Sequence, residues 1–112
     1  MSTEIICKYK INNSDEVRIM DNIFVENNKN ICKLIYEGKE QKLIDIFNTK
    51  DIKKDILEIT IKGIDKIINA SNMFYNCTTL ISIKNINNWD ATKINDINNL
   101  FYNFRSLFPF QI

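Results

Sequence analysis

The sequence predicts an α+β protein in which a β-rich N-terminal cap over residues 1–58 precedes a short solenoid of two repeats over residues 59–112. Three observations support this fold class. Short stretches of alternating apolar and polar residues, separated by turn-forming residues, dominate the first 62 positions. Nine residues, NMFYNCTTL at 72–80, return 27 positions later as NLFYNFRSL at 99–107. A chain of 112 residues that is 45% hydrophobic and 26% charged is typical of a small globular protein.

The first two strands are predicted from composition and alternation. EIICKYKI at 4–11 is rich in β-branched and aromatic residues and ends at NNSD, a run of turn-forming residues. EVRIM at 16–20 alternates apolar and charged side chains. The two segments together predict a β-hairpin.

Two further segments predict strands, and one between them is mixed. ICKLIYEGKEQKLI at 31–44 predicts a hairpin that turns at Gly38, because glycine readily adopts the positive φ of a tight turn. DILEITIKG at 55–63 alternates regularly and predicts a strand with one apolar face. IDIFNTKDIKKD at 44–55 has no single period and is interpreted as a helical turn followed by a loop.

From residue 63 onward the two copies predict repeated units. Each copy contains a short apolar helical turn, at 72–77 and at 99–104, and LISIKN after the first copy predicts a brief strand. One unit is too small to bury its own apolar side chains, so the copies are predicted to stack. The residues predicted to form their shared core are Met73, Phe74, Leu80, Leu100, Phe101 and Leu107.

The stretch from residue 59 to 107 resembles the BspA-like leucine-rich repeat. In that family a "xxMFYxCxSL" core alternates with a "LDLSxWDTSxVTDMSxMF" linker. Here NMFYNCTTL matches the core, IKNINNWDATKINDINNLF with its Trp89-Asp90 pair matches the linker, and NLFYNF opens the next copy. The chain departs from the pattern where Phe104 stands in place of the cysteine, and it has two copies where three or more make a self-supporting solenoid. The resemblance implies a short leucine-rich-repeat-like solenoid without catalytic residues.

The predicted function is that of a non-enzymatic protein–protein interaction or scaffold module, as the resemblance implies. The alternative is an obligate structural subunit, or a truncated fragment of a larger repeat protein or assembly. The chain has no histidine and only two glycines, so a Ser/His or Cys/His pair and a glycine-rich phosphate loop are excluded. We therefore expect no catalytic residue, cofactor or metal, and we interpret Asp90 as a turn cap rather than an acid or base.

Charge and cysteine usage restrict the partners and the compartment. Fifteen basic and fourteen acidic residues give a net charge of +1, which does not favour nucleic acid or an anionic membrane. No stretch reaches the ~18 apolar residues of a membrane span, and no signal peptide is visible. Three widely spaced cysteines predict buried, reduced thiols and a cytoplasmic protein.

Protein partners are expected at the exposed face of the repeats and at the C-terminal edge. Two outcomes are open for the apolar tail: it folds back over Leu100 and Leu107 as a cap, or it docks on another molecule. That molecule is either a second copy, which gives a homodimer through the C-terminal edge, or a partner. The residues assigned to an interaction surface are Tyr75, Trp89, Tyr102, Phe108, Phe110 and Ile112.

Overall fold

The structure is a computed structural model that describes residues 4–85. Within this range seven β-strands and one α-helix follow one another, with a 3₁₀ turn before the last strand. The elements are β1 (Glu4–Lys10), β2 (Glu16–Arg18), α1 (Asn22–Asn28), β3 (Lys33–Tyr36), β4 (Lys39–Lys42), β5 (Ile46–Asn48), β6 (Ile56–Lys62), the 3₁₀ turn (Ile64–Lys66) and β7 (Leu80–Lys84).

The strands form two antiparallel sheets. The larger has five strands in the order β4-β3-β6-β1-β7, and the smaller pairs β2 with β5. The central pair, β1 and β6, runs in register from Glu4 opposite Lys62 to Lys10 opposite Ile56. The middle of the sheet is thus built from two seven-residue strands that lie far apart in the sequence.

One face of the large sheet is buried, because the central strands alternate with a period of two. The inward side chains of β1 and β6 are Ile5, Cys7, Tyr9, Leu57, Ile59 and Ile61. Phe24 of α1 and Phe47 of β5 belong to the same buried cluster, which places these elements on the inner face. The Tyr9 hydroxyl donates a hydrogen bond to the carbonyl of Ile19 at 2.6 Å, so the chain after β2 also lies over this face.

The hairpin predicted around Gly38 is confirmed. Strands β3 and β4 pair from Lys33 opposite Lys42 to Tyr36 opposite Lys39. Glu37 and Gly38 both have positive φ, 48° and 81°. Two successive left-handed residues match the twist of a tight two-residue hairpin turn.

The hairpin predicted for the first two strands is wrong. Strand β1 pairs with β6 and β7, whereas β2 pairs with β5. The reason is length: β6 offers β1 seven paired positions and a matching apolar face, while β2 has only three residues. Long-range burial therefore outweighs the proximity of β2 in the sequence.

Two elements differ from the sequence interpretation between residues 21 and 55. The helix α1 was not predicted, although Asp21 caps it by accepting a hydrogen bond from the Ile23 amide at 2.9 Å, and its buried side chains are spaced by one and three residues. The segment interpreted as a helical turn contains β5 instead, because β2 supplies a partner for its backbone.

The predicted α+β fold with a repeat solenoid is also wrong. Residues 4–85 form a small β-rich domain without a solenoid, since β7, the strand of the first copy, joins the edge of the large sheet antiparallel to β1. Residues 72–77 form successive turns closed by bonds three residues apart rather than a helix. Asn72 and Asn76 have φ of 61° and 59°, which a right-handed helix cannot accommodate.

The first repeat copy shares its core with the N-terminal strands. Met73, Phe74 and Leu80 are buried in the same cluster as β1 and β6, and the boundary predicted after residue 58 falls within β6. The other three residues predicted for this core, Leu100, Phe101 and Leu107, lie outside the described residues.

Asparagine has a structural role in the turns. Of the six non-glycine residues with positive φ between residues 4 and 85, five are asparagine, and the sixth is Glu37. Asparagine tolerates the left-handed region better than other residues with a β-carbon. Five asparagines therefore mark sharp turns of the backbone in the described residues.

Candidate functional site

The outer face of the large sheet projects side chains away from the core, and we call it the open face. Residues that alternate with the buried positions of β1, β3, β6 and β7 form it. Glu40 and Lys42 of β4 join them, because they lie directly opposite Ile35 and Lys33 of β3. Because the strand register is defined, these residues fall into rows that run across neighbouring strands.

The first row is basic, and we call it the lysine row. Lys42 of β4 lies directly opposite Lys33 of β3, which lies directly opposite Lys62 of β6. Glu4 of β1 ends the row. Three lysines thus stand side by side on three adjacent strands.

The second row is largely apolar, and we call it the aliphatic strip. It consists of Ile35, Thr60 and Ile6 on β3, β6 and β1, and all three are half-buried. Glu40 and Lys84 end this row on the two edge strands. The middle of the open face is therefore a band of aliphatic groups bordered by charge.

Two ion pairs lie on the open face, and the first of them connects the two rows. Lys62 Nζ lies 3.1 Å from Glu40 Oε1, so this bridge passes over β3. Lys8 Nζ lies 3.8 Å from Glu58 Oε1 on the neighbouring strand. Among residues 4–85, Lys33 and Lys42 have no ion-pair partner.

A groove of about 550 Å³ continues the open face at the other end of the strands. A bulge in β7 displaces Ile81 from the regular ladder, and Ile81 lines this groove together with Ile56. Lys54 Nζ lies 3.0 Å from Glu37 Oε2 at its rim, and this hydrogen bond raises the pKa of Lys54. The remaining lining residues are Lys8, Tyr36 and Glu58.

The three cysteines lie in the core and not on the open face. Burial raises the pKa values of Cys7 and Cys32 to about 12, and it also raises the pKa of Cys77. Burial also raises the pKa of Tyr9. The predicted burial of the thiols is confirmed, and the thiols are protonated and uncharged at neutral pH.

Two kinds of feature are absent from the described part of the chain. Residues 4–85 contain no group of three His, Cys, Asp or Glu side chains arranged to hold a metal ion. The same residues contain no helix that is long and apolar enough to cross a membrane.

The interaction residues predicted from the sequence fall largely beyond residue 85. Tyr75 is half-buried in the turns before β7. The other five, Trp89, Tyr102, Phe108, Phe110 and Ile112, lie outside the described residues. Sequence reasoning missed the lysine row, because each lysine belongs to a different strand and only the register brings them together.

The chain matches no protein-family model, no curated protein and no solved structure.

Proposed function

We propose that this chain is a non-enzymatic protein-interaction module whose binding surface is the open face. The observation that supports this proposal is the aliphatic strip, formed by Ile35, Thr60 and Ile6, with charged residues on both sides. Protein interfaces commonly combine an apolar centre with a polar rim in this way. The surface is also rigid, because five hydrogen-bonded strands hold it.

Rigidity favours binding because less conformational entropy is lost on association. The strip belongs to the three inner strands of the sheet, which pair on both sides. Its side chains therefore hold their spacing without a partner.

The groups that could act chemically support a binding role over a catalytic one. The thiols are buried and protonated, and the carboxylates of Glu40 and Glu58 on the open face are paired with lysines. We extend the proposal to kinship with the BspA-like leucine-rich repeat proteins, on the strength of the NMFYNCTTL and NWD residues alone. A scaffold role is the function that this kinship implies.

Site-specific photo-crosslinking tests the proposed surface. A benzoylphenylalanine is placed at residue 35, on the aliphatic strip, or at residue 48, which is exposed on β5. After irradiation in cells that make the protein, we expect a discrete adduct from position 35 and none from position 48. Thr60→Glu introduces a charge into the middle of the strip and should abolish the adduct while leaving the melting temperature within a few degrees.

Two results of the crosslinking experiment would contradict the proposal. If position 35 gives no adduct, or if the adduct persists with Thr60→Glu, the open face is not the binding surface. Solution mass by light scattering separates the alternative: a stable monomer favours an interaction module, whereas a protein that is insoluble without a partner favours an obligate structural subunit.

A further inference from the structure

We infer that the segment bound by the open face is acidic and amphipathic, with carboxylates over the lysine row and apolar side chains over the aliphatic strip. This inference rests on the proposed function and specifies the partner of the same surface. Four features of the open face support it.

The first feature is an uneven distribution of charge. The open face carries six lysines and three glutamates, a charge of +3, and because the whole chain carries +1, the rest of the chain carries −2. The lysines are Lys8, Lys10, Lys33, Lys42, Lys62 and Lys84. A surface with this excess attracts an acidic partner and repels a basic one.

The second feature is the arrangement of the lysine row. Like charges directly opposite each other on neighbouring strands destabilise a sheet. Lysine on an edge strand is commonly explained as protection against edge-to-edge pairing, and that explanation suffices for Lys42 on β4. It does not account for Lys33 or Lys62, because β3 and β6 each pair with a strand on both sides.

The third feature is the unequal pairing within the row. Lys62 is neutralised by Glu40 at 3.1 Å, whereas Lys33 and Lys42, both exposed, have no ion pair among residues 4–85. Two neighbouring positive charges without a counter-charge are an electrostatic cost in the free protein. A bound carboxylate would remove that cost.

The fourth feature is the chemistry of the adjacent row, which distinguishes a protein from a nucleic acid. Sheets that bind single-stranded nucleic acid present aromatic rings on which bases stack. The row beside the lysines consists of Ile35, Thr60 and Ile6, which offer aliphatic groups and one hydroxyl but no aromatic ring.

The spacing of the rows defines the shape of the bound segment. Adjacent strands lie about 4.8 Å apart, and successive residues on one face of a strand lie about 7 Å apart. A segment that crosses the strands therefore meets lysines along one side and aliphatic groups about 7 Å away along the other. An amphipathic helix with acidic and apolar stripes meets both rows at once.

The test uses the whole chain, labelled with ¹⁵N, and three defined probes. The first is a fourteen-residue amphipathic peptide with glutamates on one side and leucines on the other. The second has lysines in place of the glutamates, and the third is a ten-residue oligouridine. We expect the acidic peptide to shift the amide resonances of Lys33, Lys42 and Thr60, and its affinity to fall as salt is added.

A matched pair of double variants isolates the lysine row. Lys33→Gln with Lys42→Gln should lower the affinity for the acidic peptide at least tenfold. The melting temperature of this variant should stay unchanged or rise, because the repulsion between the two lysines is removed. Lys50→Gln with Lys66→Gln removes the same charge from exposed positions off the open face and should leave the affinity within twofold.

Several results would overturn the inference. These are equal binding of the two peptides, tighter binding of oligouridine, no binding of the acidic peptide, or an equal loss of affinity in both double variants. The crosslinking experiment separates this inference from the proposed function. If the adduct at position 35 survives Lys33→Gln with Lys42→Gln, the binding face stands and the acidic partner is rejected. If the protein with its native lysines gives no adduct at position 35, both are rejected.

Discussion

The buried amide of Asn28 joins the helix to the first repeat copy, and its removal should destabilise the whole domain. Asn28 is 1% exposed at the end of α1. Its Nδ2 donates hydrogen bonds to the carbonyls of Phe24, at 3.0 Å, and Asn69, at 2.9 Å. The second bond joins residues that are 41 positions apart in the sequence. Asn69 lies between the 3₁₀ turn and the turns at 72–77.

The expected loss for Asn28→Ala follows from these contacts. Each hydrogen bond contributes about 1 kcal/mol net, and leaving the Asn69 carbonyl without its partner adds about 1 to 2 kcal/mol. We therefore expect a fall of about 3 to 4 kcal/mol in the free energy of unfolding. For a domain of this size each kcal/mol corresponds to a fall of about 4 to 8 °C in the melting temperature.

Urea unfolding followed by circular dichroism measures the change, and Asn27→Ala is the control. Asn27 is the preceding residue of α1 and is exposed, so its variant should stay within about 0.5 kcal/mol of the original protein. Asn28→Asp adds a second check, because the new carboxylate would face two carbonyl oxygens. Burial there raises its pKa, so this variant should be less destabilised at pH 4 than at pH 7.

The slope of the urea transition tests whether the first repeat copy and the sheet unfold as one unit. If the repeat turns and the sheet unfold together, Asn28→Ala lowers the midpoint and leaves the slope unchanged. A transition that splits in two would show that the repeat copy is a separate unit. A loss no larger than that of Asn27→Ala would refute the role assigned to the amide.

The remaining predictions concern the glycines and the thiols. Gly63→Ala should lower the melting temperature more than Gly38→Ala. Both glycines have positive φ, but a β-carbon at Gly63 would lie 2.7 Å from the Ile31 carbonyl oxygen, whereas a β-carbon at Gly38 would meet open space. Thermal melts compare the two variants, and equal losses would contradict the close contact. Native protein at pH 8 should not react with a thiol reagent, whereas unfolded protein should titrate three thiols. Because folding raises the pKa values of Cys7 and Cys32 from 9.0 to about 12, stability should be retained below pH 9 and fall between pH 9 and pH 12. A melting temperature that is flat across that range would contradict their burial.

The sequence by itself determined which side chains point inward along β6. The alternation of β6 and the turn at Gly38 are local patterns, and the structure shows both as predicted. Burial of the three thiols also followed from their apolar neighbours. These features depend on residues within a few positions of one another, so a short window of sequence contains the information.

The tertiary structure decided which strands are neighbours, and with them the fold and the candidate site. Resemblance between residues 72–80 and 99–107 suggested stacked repeats, yet β7 joins β1, because the apolar face of β1 offers it a long-range partner. The lysine row has the same origin: Lys33, Lys42 and Lys62 come from three strands, and only the register of β3 against β4 and β6 aligns them. Strand pairing depends on burial summed over distant segments, and alternation within one segment does not specify its partner.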